Sequence, residues 1–237
     1  ALLFRNDKTG IWEPISWNEF SLNVRKVSNA LLELGVEAQE NVAVFAQNMP
    51  QSLFVDFGAY GIRAVTVPFY ATSSEMQVKY IVSDASIRYV FVGEQYQYDT
   101  AYRVLKLSHQ LSKLIIFDPT VEKDSQDQVS LYFHEFLKLG ESFRHQAEVD
   151  SRTADYDQDD LANILYTSGT TGLSKLSASA SCTNARPGMM TTSASCSASS
   201  DLRSSMVIRQ AISFFTSSPT CAATSATITR SNGLPPS

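Results

Sequence analysis

Residues 161–175 read LANILYTSGTTGLSK. The first six, Leu161 to Tyr166, form a short apolar run of the kind a buried strand makes. The rest is a glycine- and hydroxyl-rich loop that closes on a lysine. Gly169 and Gly172 allow backbone angles that a side chain forbids, and they let the main chain approach a ligand closely. Thr167, Ser168, Thr170 and Thr171 add hydroxyls to a series of backbone N–H groups, and Lys175 adds a positive charge. In composition, and in its position after a buried strand, this is a cradle for phosphate. It is not a Walker A loop, which needs G-x-x-x-x-G-K-[ST], and it is not a dinucleotide fingerprint, since G-x-G-x-x-G is absent. A plain Ser/Thr/Gly surface loop is the competing reading, weakened by the length of the pattern and the strand in front of it.

Working back from the loop, period-2 and period-3.6 patterns alternate. Phe4–Asn6 and Ile11–Ile15 flank Asp7-Lys8-Thr9-Gly10 and predict a hairpin. Ser16, with Glu19 three residues on, predicts a capped helix. Its apolar face is Trp17, Phe20, Val24, Val27, Leu31 and Leu34, and Gly35 ends it. Strands are expected at 41–46, 64–70, 87–92 and 114–117. Helices are expected from Pro50 to about Ile62, from Ser73 to about Ser83 and over 98–111. Residues 119–130 read as a polar loop, 131–139 as a short amphipathic segment, and 140–160 as a charged, irregular surface connection. Strands separated by helices of ten or more residues give an α/β fold, with a mostly parallel sheet and flanking helices.

The totals hide a break at Lys175. The chain has 237 residues and a net charge of −5. Residues 1–175 carry −8 and contain every Lys, Glu, Trp, Tyr and His, but no Cys. Residues 176–237 carry +3, with sixteen Ser, eight Thr, nine Ala and Cys182, Cys196 and Cys221. The acidic first part argues against nucleic acid as a partner. No apolar run approaches the roughly 18 residues of a membrane span. A Cys-free first part fits a reducing compartment, so the cytoplasm is the expected location, with peripheral membrane contact left open. Ala1 is not an initiator Met, so the N-terminus is expected to be processed, trimmed or incomplete. His109, His134 and His145 have no partners at metal-ligand spacing and read as solvated. Asp155 to Asp160 read as an acidic lead-in, with Asp160 at the strand entry. The aromatics of 60–102 are assigned to the core rather than to an acyl pocket. Tyr70 and Thr72 fall at a strand end, where ligand sites of α/β sheets form.

With these residues set out, YTSGTTGLSK resembles the phosphate-binding signature of the adenylate-forming enzymes: acyl-CoA synthetases, luciferases and peptide-synthetase adenylation domains. That pattern is Tyr-Thr-Ser-Gly-Thr-Thr-Gly-x-Pro/Ser-Lys-Gly, matched here from Tyr166 to Lys175 and departed from at Leu176. The segments ISWNEF, VAVFAQN, GAYGIRAVTVPFYATSS and VFVGEQYQYD are similar to the N-terminal part of bacterial long-chain fatty acyl-CoA synthetases. The resemblance implies the N-terminal part of an adenylate-forming large domain over 1–175. It implies a fatty acid, ATP and coenzyme A as substrates and Mg2+ as an aid. Thr167, Ser168, Gly169, Thr170, Thr171, Gly172 and Lys175 would contact the ATP phosphates; no residue matches a catalytic or metal-binding motif. The family's aromatic-Gly-x-Thr-Glu stretch, ribose-binding Asp, hinge and C-terminal catalytic Lys are not in this sequence. An inactive fragment is therefore expected, with a non-catalytic nucleotide-binding or interaction module as the alternative.

Residues 176–237 are expected to be an unstructured tail, because their few large apolar groups cannot offset ordering entropy. A real Ser/Thr tract, a mucin-like stalk and a reading-frame shift after Lys175 compete, and the shift is preferred. Met189-Met190-Thr191 is encoded by ATG-ATG-ACN, which hides Asp-Asp in another frame. Family members carry an acidic turn before an apolar strand in this region. Sequencing the DNA through codon 175 and translating all frames is expected to return an adenylate-forming continuation in one of the other two; an unbroken frame would overturn the shift.

Overall fold

The structure is a computed structural model. It describes residues 2–6, 9–157, 159–168 and 174–180, with 167, 168 and 174–180 described through their backbone. Of the tail expected to be unstructured over 176–237, residues 181–237 lie outside the described residues, while 176–180 are described as strand.

The expected hairpin forms: β1 (Leu2–Arg5) pairs antiparallel with β2 (Trp12–Ile15), with Leu2 opposite Ile15. Helix α1 (Trp17–Glu33) follows. Ser16 Oγ accepts from the Glu19 N–H at 3.1 Å, which is the serine half of the expected capping box. The helix closes at Gly35, whose φ of +75° suits glycine. Val36 N–H reaches Leu31 O and Gly35 N–H reaches Leu32 O, which satisfies two terminal carbonyls. Phe20, Val24, Val27 and Leu31 are buried as their spacing implies. Trp17 is not: at the first helical position it stays exposed, with its ring edge-on to Phe20.

A sheet then builds in the order β7-β6-β5-β3-β4-β8-β9. Strands β3 (Asn41–Phe45), β4 (Val65–Pro68), β5 (Tyr89–Val92), β6 (Lys113–Ile116), β7 (Leu131–Tyr132) and β8 (Leu161–Ser168) run parallel. β9 (Ser174–Ala180) runs antiparallel to β8. The connections include α2 (Pro50–Tyr60), α3 (Glu75–Asp84), α4 (Gln95–Leu107), α5 (Phe133–Leu139) and α6 (Gln146–Ala154). The pairing of β9 carries the described chain five residues past Lys175, to Ala180.

The strand faces sort into two cores. Val42, Val44, Tyr89, Phe91 and Ile115 face α1, α2, α5 and α6. Ala43, Phe45, Val65, Val67, Val90, Val92, Leu114, Ile116, Ile164 and Tyr166 face α3 and α4. This is a doubly wound α/β layer, built because each parallel strand is apolar on both faces and must be covered on both.

Three expectations are corrected. The 140–160 segment is not irregular throughout. It contains α6, whose single buried residue, Val149, is too weak an apolar signal to read in sequence. Polar contacts hold it instead: Arg152 donates to Val36 O at 3.0 Å, and Thr153 Oγ1 donates to Gly61 O at 2.8 Å. Within 131–139, β7 precedes the helix as an edge strand of two residues. Helix α4 begins at Gln95 rather than 98, because Gln97 Oε1 accepts from the Glu94 N–H at 3.0 Å.

The contact between α1 and α2 is close enough to demand glycine at 58. A Cβ there would lie 2.4 Å from Val27 Cγ1, while Ser28 Oγ donates to Gly58 O at 2.9 Å. Gly58→Ala is expected to lose about 1–3 kcal/mol through overpacking, against a helix-propensity gain of at most about 1 kcal/mol. A lower urea midpoint checks it; an unchanged or higher one would show that the helices part freely.

Candidate functional site

Strand β8 ends, at Ser168, toward the carboxyl edge of the parallel sheet, where ligand sites of open α/β folds form. Across the β8–β9 ladder Thr167 is the register partner of Lys175, and Ser168 of Ser174. The residues expected at the two ends of the phosphate cradle are therefore brought opposite one another. Gly169, Thr170, Thr171 and Gly172 lie outside the described residues.

The entry to β8 is pinned by side chains that sequence reading missed. Gln39, at φ +62° between α1 and β3, uses its amide as a stand-in for a neighbouring strand. Its Oε1 accepts from Leu161 N–H at 2.8 Å and its Nε2 donates to Leu161 O at 3.3 Å. Asp160, expected only to cap the strand entry, takes a two-pronged ion pair from Arg63 at 2.7 and 3.0 Å. Hydrogen bonding by that guanidinium holds the Asp160 carboxyl below its ordinary range. In mid-strand, Asn163 Oδ1 accepts from Tyr60 O–H at 2.8 Å and from the Thr66 hydroxyl. At the exit, Tyr166 O–H donates to Asp84 Oδ2 at 2.6 Å and meets Tyr80 edge-on. Desolvation first, then the Asp84 contact, pushes that phenol well above its ordinary value, so it stays a neutral donor. These residues carry no sequence signature, since each partner is distant in the chain. The nearest available cue was a polar Asn163 inside an apolar run.

Beside the exit, Pro68, Phe69, Tyr70, Leu165 and Tyr166 line a cleft of about 150 Å³. Tyr70 is 64% exposed there. Tyr96 O–H donates to Ser73 O at 3.1 Å and Gln97 Nε2 donates to Ala71 O at 2.8 Å, fixing the β4–α3 turn that carries Tyr70 and Thr72. Most aromatics of 60–102 sit in the core as expected, among them Phe69, Tyr89, Phe91, Tyr98 and Tyr102. His145 faces Glu33 at 2.8 Å, and His134 stacks on Tyr132. Among the described residues, no three His, Cys, Asp or Glu side chains gather as a metal site. No described helix is long and apolar enough to cross a membrane.

The model of the AMP-binding enzyme family matches residues 1–183. The chain belongs to that family. Relatives of this AMP-binding chain include the long-chain-fatty-acid–CoA ligase ACSBG1 of Rattus norvegicus, 28% identical over 168 residues, 71% of this chain and 22% of the relative. Fatty acyl-CoA synthetase A of Dictyostelium discoideum is 28% identical over 177 residues, 72% of this chain and 25% of the relative. The long-chain-fatty-acid–CoA ligase FadD15 of Mycobacterium bovis is 28% identical over 166 residues, 70% and 26% respectively. The chain thus spans about a quarter of these curated relatives. Its fold is similar to that of the anthranilate CoA ligase AuaEII, solved with anthranoyl-AMP. The TM-score there is 0.57 at 19% identity, over 71% of this chain and 30% of that one.

The Arg63–Asp160 pair gives a pH-dependent expectation. A carboxyl depressed in the folded state stabilises above its unfolded value, 3.8, and the gain is lost as pH falls through the lower folded value. Asp160→Asn is expected to cost about 1–2 kcal/mol at pH 7. Urea midpoints of variant and parent should draw together as the pH is lowered below 3.8; a gap that stays at its pH 7 size throughout the acid range would mean the pair is not its source.

Proposed function

We propose that this AMP-binding chain supplies the ATP-gripping part of a long-chain fatty acid–CoA ligase. The observation that carries the reading is the pairing of Thr167 with Lys175 in the β8–β9 ladder, at the carboxyl end of β8. The relatives' activities support a fatty acid as the carboxylate. In the reaction, a carboxylate oxygen attacks the α-phosphorus of ATP. The bond from that phosphorus to the bridging oxygen breaks, and pyrophosphate leaves with the electron pair. The sulfur of coenzyme A then attacks the acyl carbon and AMP departs.

The first step builds charge on the departing phosphates, so positioned donors and a fixed cation lower its barrier. The hydroxyls of Thr167, Ser168, Thr170 and Thr171, the N–H groups around Gly169 and Gly172, and the Lys175 ammonium are the groups proposed to meet the β- and γ-phosphates. No step is assigned to a metal, because the described residues do not gather a ligand set for Mg2+. Domain limits of 1–175 for the adenylation part and 176–237 for an aberrant tail are part of the same proposal. So are a cytoplasmic location and coenzyme A as the acceptor.

A second reading is favoured by one observation: every residue singled out for nucleotide belongs to one loop, Thr167 to Lys175. On that reading these 237 residues bind nucleotide without turning it over. Both readings are tested on the purified chain. ATP binding by calorimetry is expected to weaken roughly ten- to hundredfold in Lys175→Ala, the usual loss for a charge-assisted contact. Unaltered affinity, or no ATP binding by the parent, overturns the assignment of the loop. Isotopic pyrophosphate exchange into ATP with a fatty acid present separates the readings: exchange establishes the ligase half-reaction, and its absence alongside ATP binding establishes the binding module.

A further inference from the structure

Among the described side chains, the hydrogen bond nearest the proposed loop joins β8 to the far end of α3. Tyr166 O–H donates to Asp84 Oδ2 at 2.6 Å, and Asp84 is the last residue of that helix. A carboxylate is out of place there. The last carbonyls of a helix carry partial negative charge, and α3 has no basic residue in its last turn to offset it. Asp84 is also exposed, so packing does not account for it. What it does have is the phenol of Tyr166.

Tyr166 is held along its whole length. Its residue is 5% exposed, and it packs in the α3 and α4 layer. Its ring stands edge-on to Tyr80, with the centroids 6.3 Å apart. Tyr80 and Asp84 are four residues apart on α3, so they share one face of the helix. The ring and the hydroxyl are thus gripped by successive turns, which leaves the backbone at 166 little freedom. In the β8–β9 ladder Tyr166 is the partner of Leu176, and the next pair is Thr167 with Lys175. The position that Asp84 fixes is the one directly before that pair.

We propose that Asp84 is a positioning residue for the strand end that carries the proposed phosphate loop: it acts through the Tyr166 hydroxyl to set the backbone at the Thr167–Lys175 pair, and affinity for ATP depends on that contact. The ATP part rests on the reading of 167–175 as the phosphate loop; the effect on the strand end does not. A carboxylate is no ligand for phosphate, so any benefit of Asp84 to binding is indirect. The two partners differ in what their loss leaves behind. Without Asp84 the buried hydroxyl either stays unpaired or swings toward water, and both disturb residue 166. Without the hydroxyl the ring stays in place, the tie is gone, and Asp84 has nothing left to act through.

The test uses the 237-residue chain and four variants: Asp84→Ala, Asp84→Asn, Tyr166→Phe and the double variant Asp84→Ala/Tyr166→Phe. The backbone amides of Thr167 and Lys175 are followed by NMR, ATP affinity by calorimetry, and stability by urea midpoints. Asp84→Ala and Tyr166→Phe should each shift both amides and weaken ATP binding about five- to tenfold, the lower range of an ordinary coupling between sites. Asp84→Asn removes the charge but keeps an acceptor, so it should stay close to the parent in both measurements. In the Tyr166→Phe background, Asp84→Ala should add nothing further. A merely structural contact would lower the urea midpoints and leave the affinity of the folded chain unchanged, which overturns the proposal. Tighter binding in both Asp84→Ala and Asp84→Asn overturns it too, since the carboxylate would then act on ATP by charge. So does a double variant whose loss is the sum of the two single losses. If the parent binds no ATP, the reading of the loop fails and the ATP part falls with it. The amides then decide the rest: shifts in Asp84→Ala and Tyr166→Phe but not in Asp84→Asn uphold Asp84 as the residue that positions the strand end, and any other pattern overturns it.

Discussion

A parallel strand that joins its sheet late in the chain must be told where to stop, and β8 is such a strand. It pairs with β4, from which it is separated by the whole of α3 to α6. Closing so long a loop adds little entropic cost beyond a short one, because that cost grows only with the logarithm of length. Position is the harder requirement. A parallel ladder looks much the same at successive registers, so something other than the backbone must fix the one in use. Here polar side chains do so at three heights: Gln39 and Arg63 at the entry, Thr66 and Tyr60 in the middle, Asp84 at the exit.

Those anchors come from both layers of the fold. Tyr60 belongs to α2 and meets Asn163 on one face of the sheet; Asp84 belongs to α3 and meets Tyr166 on the other. The strand is gripped from both sides immediately before the hydroxyl-rich residues begin. The fold therefore bears on the proposed chemistry through this strand. The helices pack against the sheet, the packed helices present Tyr60 and Asp84, and these place the strand end from which Thr167 continues.

The sequence was a good guide where structure follows from local pattern. The face of α1, the turn at Gly35, Pro50 at the start of α2 and the apolar strands β3 to β6 were all legible, because periodicity and capping act within a few residues. Helix α6 was not, since one buried valine leaves no apolar stripe and its support comes from carbonyls of Val36 and Gly61 far away in the chain. The same reason hid the anchors of β8. A side-chain bond between Gln39 and Leu161 spans 122 positions and leaves no trace in either neighbourhood. The loop composition was legible, as was its place after a strand. What holds that strand was not, since it depends on pairings that exist only once the sheet is assembled.

The choice of polar groups for these anchors has a physical logic. Ile164 and Tyr166 face the α3 and α4 layer, and Asn163 meets α2. A slip of one residue would turn the apolar pair toward the Thr66 hydroxyl and bury Asn163 among hydrocarbon, leaving its amide unpaired. Apolar anchors alone would tolerate a shift with repacking. A half-buried amide that finds partners at one register does not, so specificity is obtained at some cost in stability. A strand held this way is fixed in register immediately before Thr167 and Ser168.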